Sequence, residues 1–547
     1  MPDSLPLSFG GNEMKLHPVI SLAAALAMLA TAAFGAAPAS CDSLAKLTLP
    51  DTSITTAEAI PAGSFTPPGG RPIPNLPAFC RVAGVIRPSA DSNIQFEVWM
   101  PGSGWNGKFQ GVGNGGFAGA INYPQMASSV ARGYATASTD TGHQAGGIDA
   151  GWALGHPEKI IDFGYRAIHE TAVKAKAVIR AFYGEGPRRS YFSSCSNGGR
   201  QALMEAQRFP EDYDGIISGA PANYWTHLLA TAVANMQATL AKPGSYIPAA
   251  KLPAIQAAAL AACDALDGVQ DGVLENPTQC HFDPAGLLCK GPESDACLTE
   301  PQIAALRKIY GGLRDSRGRR IFPGYSPGGE ADPAGWGPWI TGPAPEKSAL
   351  FAFGTQFYKN MVYNDPSWDF RTFDVDRDTK AADEKMARFL NATDPDLKRF
   401  QRRGGKLILY HGWCDAAIPA ENIIDYYRSV VARMGARNTA AFVRLYMAPG
   451  VQHCGGGAGP NVFGQGGAPQ SDPLHDMAAA LERWVEEGVA PDQIIATRYK
   501  SGANPASGVL RTRPLCPYPQ VARWKGSGST DDAANFACVA PEPARSK

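Results

Sequence analysis

The chain has 547 residues, with 50 lysines plus arginines set against 50 aspartates plus glutamates. Zero net charge argues against a nucleic-acid binder or a polybasic membrane-binding face, both of which need excess positive charge. With 44% apolar and 18% charged residues, the chain supports a packed core rather than disorder, and its length predicts two domains or one domain with a large insertion.

In chain order, the first feature is an unbroken apolar and small-residue run, VISLAAALAMLATAAFGAA, over 19–37, preceded by Met14-Lys15. It reads as a secretory signal peptide over 1–39, with Met14 as the start and a transmembrane anchor as the alternative. Apart from that run, no segment reads as a membrane span. From 95 to 222, short apolar strands (QFEVWMP, GKFQGVG, GYATAST, RSYFSS, GIISG) alternate with turns and a helical stretch near Pro157–Phe182. This alternation predicts an α/β fold with a mainly parallel sheet. Residues 223–393 are rich in Pro, Gly, Trp and Phe with little regular period, which predicts an irregular lid. The α/β rhythm returns over 394–547 with KLILYHG, a helix near Glu421–Met434, the strand AAFVRLYMAPG and a helix near Pro473–Glu487. The core is therefore expected in two parts, 41–222 and 394–547, around the insertion.

Export permits disulfides, and the 11 cysteines fit that use. Cys263 and Cys280 bracket an acidic loop, Cys289 and Cys297 lie close together, and Cys516 and Cys538 bracket a C-terminal loop. Cys41 and Cys80 are the only two before residue 195. Zinc would need Cys-x-x-Cys or Cys-x-x-His pairs, which the sequence lacks.

The turn Ser194-Cys195-Ser196-Asn197-Gly198-Gly199 falls between a strand and a helix, a relaxed form of the G-x-S-x-G elbow that exposes a nucleophilic serine. Downstream, one strand ends at Asp415 and the next at His453, giving the chain order Ser, Asp, His. In that reading His453 takes the Ser196 proton and Asp415 orients the imidazole; His411 is the rival histidine. A tetrahedral intermediate also needs preorganised donors. The backbone N–H of Asn197 supplies one, and the glycine loop Gly111–Gly119 supplies the other at Gly116.

Cys195 directly precedes the serine and Cys454 directly follows the histidine. With WNGKF, QRFPEDYDGIISGAP and TRPLCPYPQVARWKGSG, this arrangement resembles the tannase and feruloyl esterase family, from about Cys41 to Cys538. That family includes the enzyme hydrolysing mono(2-hydroxyethyl) terephthalate. The resemblance implies an α/β-hydrolase core with a large lid, acting on a small aromatic, often phenolic, carboxylic ester. It departs from the family at Ser194, where glycine is commoner. The lid holds only Lys347 and Lys359 between Arg320 and Arg371, so it lacks the arginine the terephthalate-monoester enzyme uses. A joined Cys195–Cys454 pair is expected, with Cys414 as the odd, buried thiol. In CDALDGVQDGVLE, Asp264, Asp267 and Asp271 suit a hard oxygen-seeking cation such as structural Ca²⁺; a solvated acidic turn is the alternative. The resemblance adds the Val269 and Val273 backbone carbonyls to that site. The lid aromatics Trp336, Trp339, Phe351, Phe353, Phe357, Tyr358 and Trp368 divide between lid core and pocket, a division the sequence leaves open. A secreted or periplasmic serine esterase is the expected function, and a non-catalytic binding protein of the same fold is the other reading.

Overall fold

The structure, a computed structural model, describes residues 39–240, 242–465 and 472–541. The leader reading lies on 1–38, outside them. The described residues belong to one compact unit, Pro38–Lys547.

Nine strands form the central sheet: β1 (Thr52–Ile60), β2 (Phe79–Ile86), β3 (Ile94–Pro101), β4 (Lys108–Val112), β5 (Ala135–Thr139), β6 (Arg189–Cys195), β7 (Gly215–Gly219), β8 (Lys406–Gly412) and β9 (Val443–Ala448). Their order is β1-β2-β3-β5-β4-β6-β7-β8-β9. The pairings β1/β2, β2/β3 and β3/β5 are antiparallel, and those from β5 to β9 are parallel. The sheet is thus mixed, with its parallel part carrying the site.

Period-two alternation sorts the strand residues between two cores. Leu407 and Leu409 of β8, Ile216 of β7 and Leu445 of β9 face one core, which also holds Val178, Leu203 and Ile424 from three helices. Those helices are α2 (Ala167–Tyr183), α3 (Asn197–Arg208) and α5 (Glu421–Met434), while α1 (Tyr123–Ala131) and α4 (Trp225–Leu240) also precede α5 in the chain. Ile408, Tyr410, Ile217 and Tyr446 face the opposite core, closed by Leu481 and Trp484 of α6 (Met477–Glu487). Helices on both faces explain why β5 and β7 are buried at every position, as parallel strands require. The expected α6 start at Pro473 moves to Met477, where Asp476 caps the helix by accepting from the Ala478 and Ala479 N–H groups.

Between β7 and β8 lies the inserted segment, and here the expectation of irregular structure is corrected. It contains α4, further helices at Leu252–Cys263, Glu300–Gly311 and Ala349–Phe357, and shorter pieces. The helical period was obscured because α4 is buried nearly all round and Leu252–Cys263 is alanine-rich, so neither shows a polar stripe. The run Ala249–Asp267, with an 18-residue window of mean hydropathy 1.2, is also long and apolar enough to cross a membrane by length and composition alone. In the fold, Leu252 and Ile255 pack with Leu306 and Trp336, and Cys263 is tied to Cys280.

Candidate active site

Ser196 sits between β6 and α3 with φ 67° and ψ −128°, backbone angles that a side-chain-bearing residue adopts only at a cost of about 1–3 kcal/mol. The turn is held by Ser196 N–H donating to Gly219 O (2.9 Å) and by Ala222 N–H donating to Ser196 O (3.1 Å). Its tightness explains the neighbouring glycines. A Cβ on Gly198 would lie 1.9 Å from Ser194 Oγ, and one on Gly199 would lie 2.3 Å from Gly219 O. A serine at 194 is therefore accommodated because position 198 gives way.

The Ser196 hydroxyl lies 2.8 Å from His453 Nε2, and His453 Nδ1 lies 2.8 Å from Asp415 Oδ2. The second oxygen of Asp415 accepts from the N–H groups of Ala417 (2.8 Å) and Ile418 (2.9 Å). Burial works to raise the Asp415 pKa, but His453 and His411 outweigh it and hold the carboxyl well below its usual range. An anionic Asp415 selects the imidazole tautomer with Nδ1–H toward itself, leaving Nε2 free to accept the serine proton. His411 takes a role the sequence did not reveal. It is fully buried on β8, with Nε2 3.0 Å from Ile418 O and 3.1 Å from Asp415 Oδ2, so it holds the carboxylate rather than lining a loop.

Cys195 and Cys454 are joined, 259 residues apart in sequence with Cα atoms 5.9 Å apart. The pairs Cys41–Cys80, Cys263–Cys280, Cys289–Cys297 and Cys516–Cys538 form as well. Cys414 is the buried free thiol, and burial pushes its pKa well up.

The glycine loop after β4 is fastened to α3 by Gln201, which sequence reasoning missed. Its Oε1 accepts from Asn114 N–H (3.0 Å) and its amide nitrogen donates to Asn114 Oδ1 (3.2 Å). Gly116 has φ +57°, and a Cβ there would lie 2.1 Å from Gly147 O; only glycine fits. Asn197 is buried at 1% exposure as the first residue of α3, where backbone N–H groups are unpaired by the helix.

From the inserted segment, Trp339 meets the His453 ring edge to face at 5.1 Å and 74°. Phe353 stacks on Trp339 at 6.3 Å and contacts Phe117 at 5.2 Å, next to Gly116. Trp336, Phe357 and Tyr358 are buried in the segment's own packing. A cavity of about 950 Å³ has Cys454, Gly455, Asp332, Arg498 and Lys500 in its wall.

In the acidic loop, Asp264 accepts from the Gly272 N–H (3.0 Å), Asp267 from Val269 (2.9 Å) and Asp271 from Val273 (3.1 Å). Burial, with Asp271 and Asp264 as like-charged neighbours, pushes Asp267 up to about 6. Asp271 Oδ2 is also paired with Arg513 (2.6 Å) and Arg511 (3.0 Å). Among the described residues, one trio of His and carboxylates has ligand atoms within 4.8 Å of one another, His169, Glu205 and Asp212 at the far end of α3. Lys176 Nζ lies 3.8 Å from Asp212 there, and burial together with Asp212 keeps Glu205 protonated well above the usual range. The loop carboxylates stand wider apart.

The model of the family described as "Tannase and feruloyl esterase" matches residues 80–539. The chain belongs to the tannase and feruloyl esterase family. It is 46% identical over 544 residues to an uncharacterized esterase of Xanthomonas campestris, covering 95% of this chain and 94% of that one. To a probable feruloyl esterase B-2 of Aspergillus terreus it is 34% identical, covering 96% and 99%. Feruloyl esterase B of Aspergillus oryzae superposes with a TM-score of 0.85 at 31% identity, over 91% and 99% of the chains. The tannin acyl hydrolase of Aspergillus niger gives 0.73 at 25% identity, over 91% and 93%. The protein is a carboxylic ester hydrolase of feruloyl esterase or tannase type.

Proposed function

We propose that this family member is an exported serine esterase cleaving esters of aromatic, phenolic acids through an acyl-enzyme. The observation that carries the reading is the unbroken chain of 2.8 Å contacts from Ser196 through His453 to Asp415, with Ser196 on a strained elbow. As Ser196 Oγ bonds to the ester carbon, its proton passes to His453 Nε2 and the carbonyl electron pair moves onto oxygen. The N–H groups of Asn197 and Gly116 receive that charge. Collapse breaks the bond to the alcohol oxygen, which takes the proton from His453; water then repeats the sequence to release the acid.

The inserted segment acts as the lid, and the Trp339, Phe353 and Phe117 surface beside His453 suits a planar aromatic acyl group. Five disulfides favour an oxidising, extracytoplasmic location. Asp264, Asp267 and Asp271 with the Val269 and Val273 carbonyls form an oxygen-only donor set fitted to Ca²⁺. The cation's role there is to secure the lid.

A panel of methyl ferulate, methyl gallate and the terephthalate monoester tests the reading. Hydrolysis of the phenolic esters, abolished in Ser196→Ala, is expected. Retained hydrolysis in that variant would remove the nucleophile assignment, and an inactive wild type would leave a binding protein.

A further inference from the structure

One turn beyond Ser196, Arg200 is 0% exposed. Its guanidinium stays charged at any physiological pH, yet no carboxylate among the described residues pairs with it. Nε donates to Asn197 Oδ1 (2.8 Å), one terminal nitrogen to Gly164 O (2.8 Å) and Leu390 O (3.4 Å), and the other to Phe163 O (3.0 Å). The faces of Phe163 and Trp225 lie 4.7 and 5.2 Å from its central carbon. The wide helical turn Asp162–Arg166 supplies two of those carbonyls, because such a turn leaves main-chain oxygens available outside the helix ladder.

A buried cation without a counter-ion is costly. Replacement of buried ionic groups by packed apolar residues is often neutral or stabilising, so stability alone does not account for this arrangement. Its position does. Arg200 grips the side chain of Asn197, the residue whose backbone N–H faces the developing oxyanion. Asn197 Nδ2 has no partner among the described residues, so the side chain of Asn197 is held through its Oδ1 by Arg200. The field of the guanidinium, not cancelled by a carboxylate, is present before the reaction and favours negative charge beside Ser196.

We infer that Arg200 is a positioning residue for the ester cleavage proposed above, holding Asn197 in place and biasing the elbow electrostatically toward the oxyanion. It touches no substrate and exchanges no proton. Acting on charge that appears only as the tetrahedral intermediate forms, it affects kcat and leaves KM nearly alone.

The test uses the full protein and three variants. Arg200→Gln removes the charge and is expected to lower kcat on a phenolic methyl ester about tenfold to a hundredfold, with KM within about twofold. Arg200→Lys, which keeps the charge and loses the fork, recovers part of that loss. Asn197→Asp gives Arg200 a carboxylate partner in the same volume. It is expected to keep or raise the melting temperature while lowering kcat, and the kcat recovered by Arg200→Lys, which adds no anion, separates the guanidinium's charge from a purely structural arginine. Binding of an aryl boronic acid, which forms an anionic tetrahedral adduct on Ser196, weakens in parallel with kcat in Arg200→Gln and Asn197→Asp. Wild-type kcat in folded Arg200→Gln, or wild-type kcat and boronate affinity in Asn197→Asp, would overturn the inference. Should Arg200→Gln not fold, Arg200→Lys decides: a lowered kcat with KM within about twofold supports the inference, and wild-type kcat overturns it. A wild type that binds boronate but cleaves no aromatic ester counts against the substrate reading alone.

Discussion

Replacing Cys195 and Cys454 together by alanine should damage turnover more than folding. The bond closes a loop of 259 residues, for which the chain-entropy relation gives about 5.6 kcal/mol, an upper figure given the lower values often measured. Other attachments survive its loss. Ser196 N–H still donates to Gly219 O, and Cys414 N–H to Val451 O (3.0 Å), while the Gln452 amide beside His453 still donates to Gly329 O (2.7 Å). These anchor both loops at their bases but not at the tips, where Ser196 and His453 meet at 2.8 Å. A drift of ~1 Å there costs about 10²-fold in rate. The double variant should therefore fold at 25 °C, melt at a lower temperature, and show kcat on a chromogenic aromatic ester reduced by about ten- to a hundredfold. Peptide mapping of the wild type should recover the 195–454 cross-link. Undiminished kcat in the double variant, or two free thiols in the wild type, would refute the tethering argument.

His411→Ala removes a partner of Asp415 at 3.1 Å and of Ile418 O; it should lower kcat and reduce stability by about 1–3 kcal/mol, measured by kinetics and denaturant unfolding. Calcium binding, followed by isothermal titration, should weaken as pH falls through 6, because a proton on Asp267, whose pKa stands near 6, competes with the cation; unchanged affinity at pH 5 would argue against that carboxylate as a ligand. Glu275 is buried, accepts from Ala522 N–H (2.8 Å), and is pushed up by burial to about 8. Its folded-state pKa exceeds the unfolded value, so the folded state holds the proton, and stability is lost as pH rises from about 4.3 toward 8 at up to ~1.4 kcal/mol per unit. Glu275→Gln should accordingly raise the melting temperature at pH 9 and change it little at pH 4.

Much of this molecule is legible in local patterns. Alternating apolar residues place β6 to β9, the small residues around Ser196 mark the elbow, and the ends of β8 and β9 present Asp415 and His453, because strand period and turn sterics act over a few residues. The short-range cysteine pairs follow for the same reason. Packing decided the rest. The helices of the inserted segment carry no clear stripe because neighbours cover them on several sides. Trp339 rather than Trp336 or Trp368 reaches His453, although nothing in their flanking residues separates them. His411, Gln201 and Arg200 look in sequence like a strand histidine and two ordinary helix residues. Each acquires its role from partners brought to it by folding: His411 by the loop that bends back through Ile418, Gln201 by Asn114 from 87 residues earlier, and Arg200 by carbonyls from Phe163 and Leu390. A hydrogen bond depends on where atoms lie in space, and sequence spacing specifies that only within a single element.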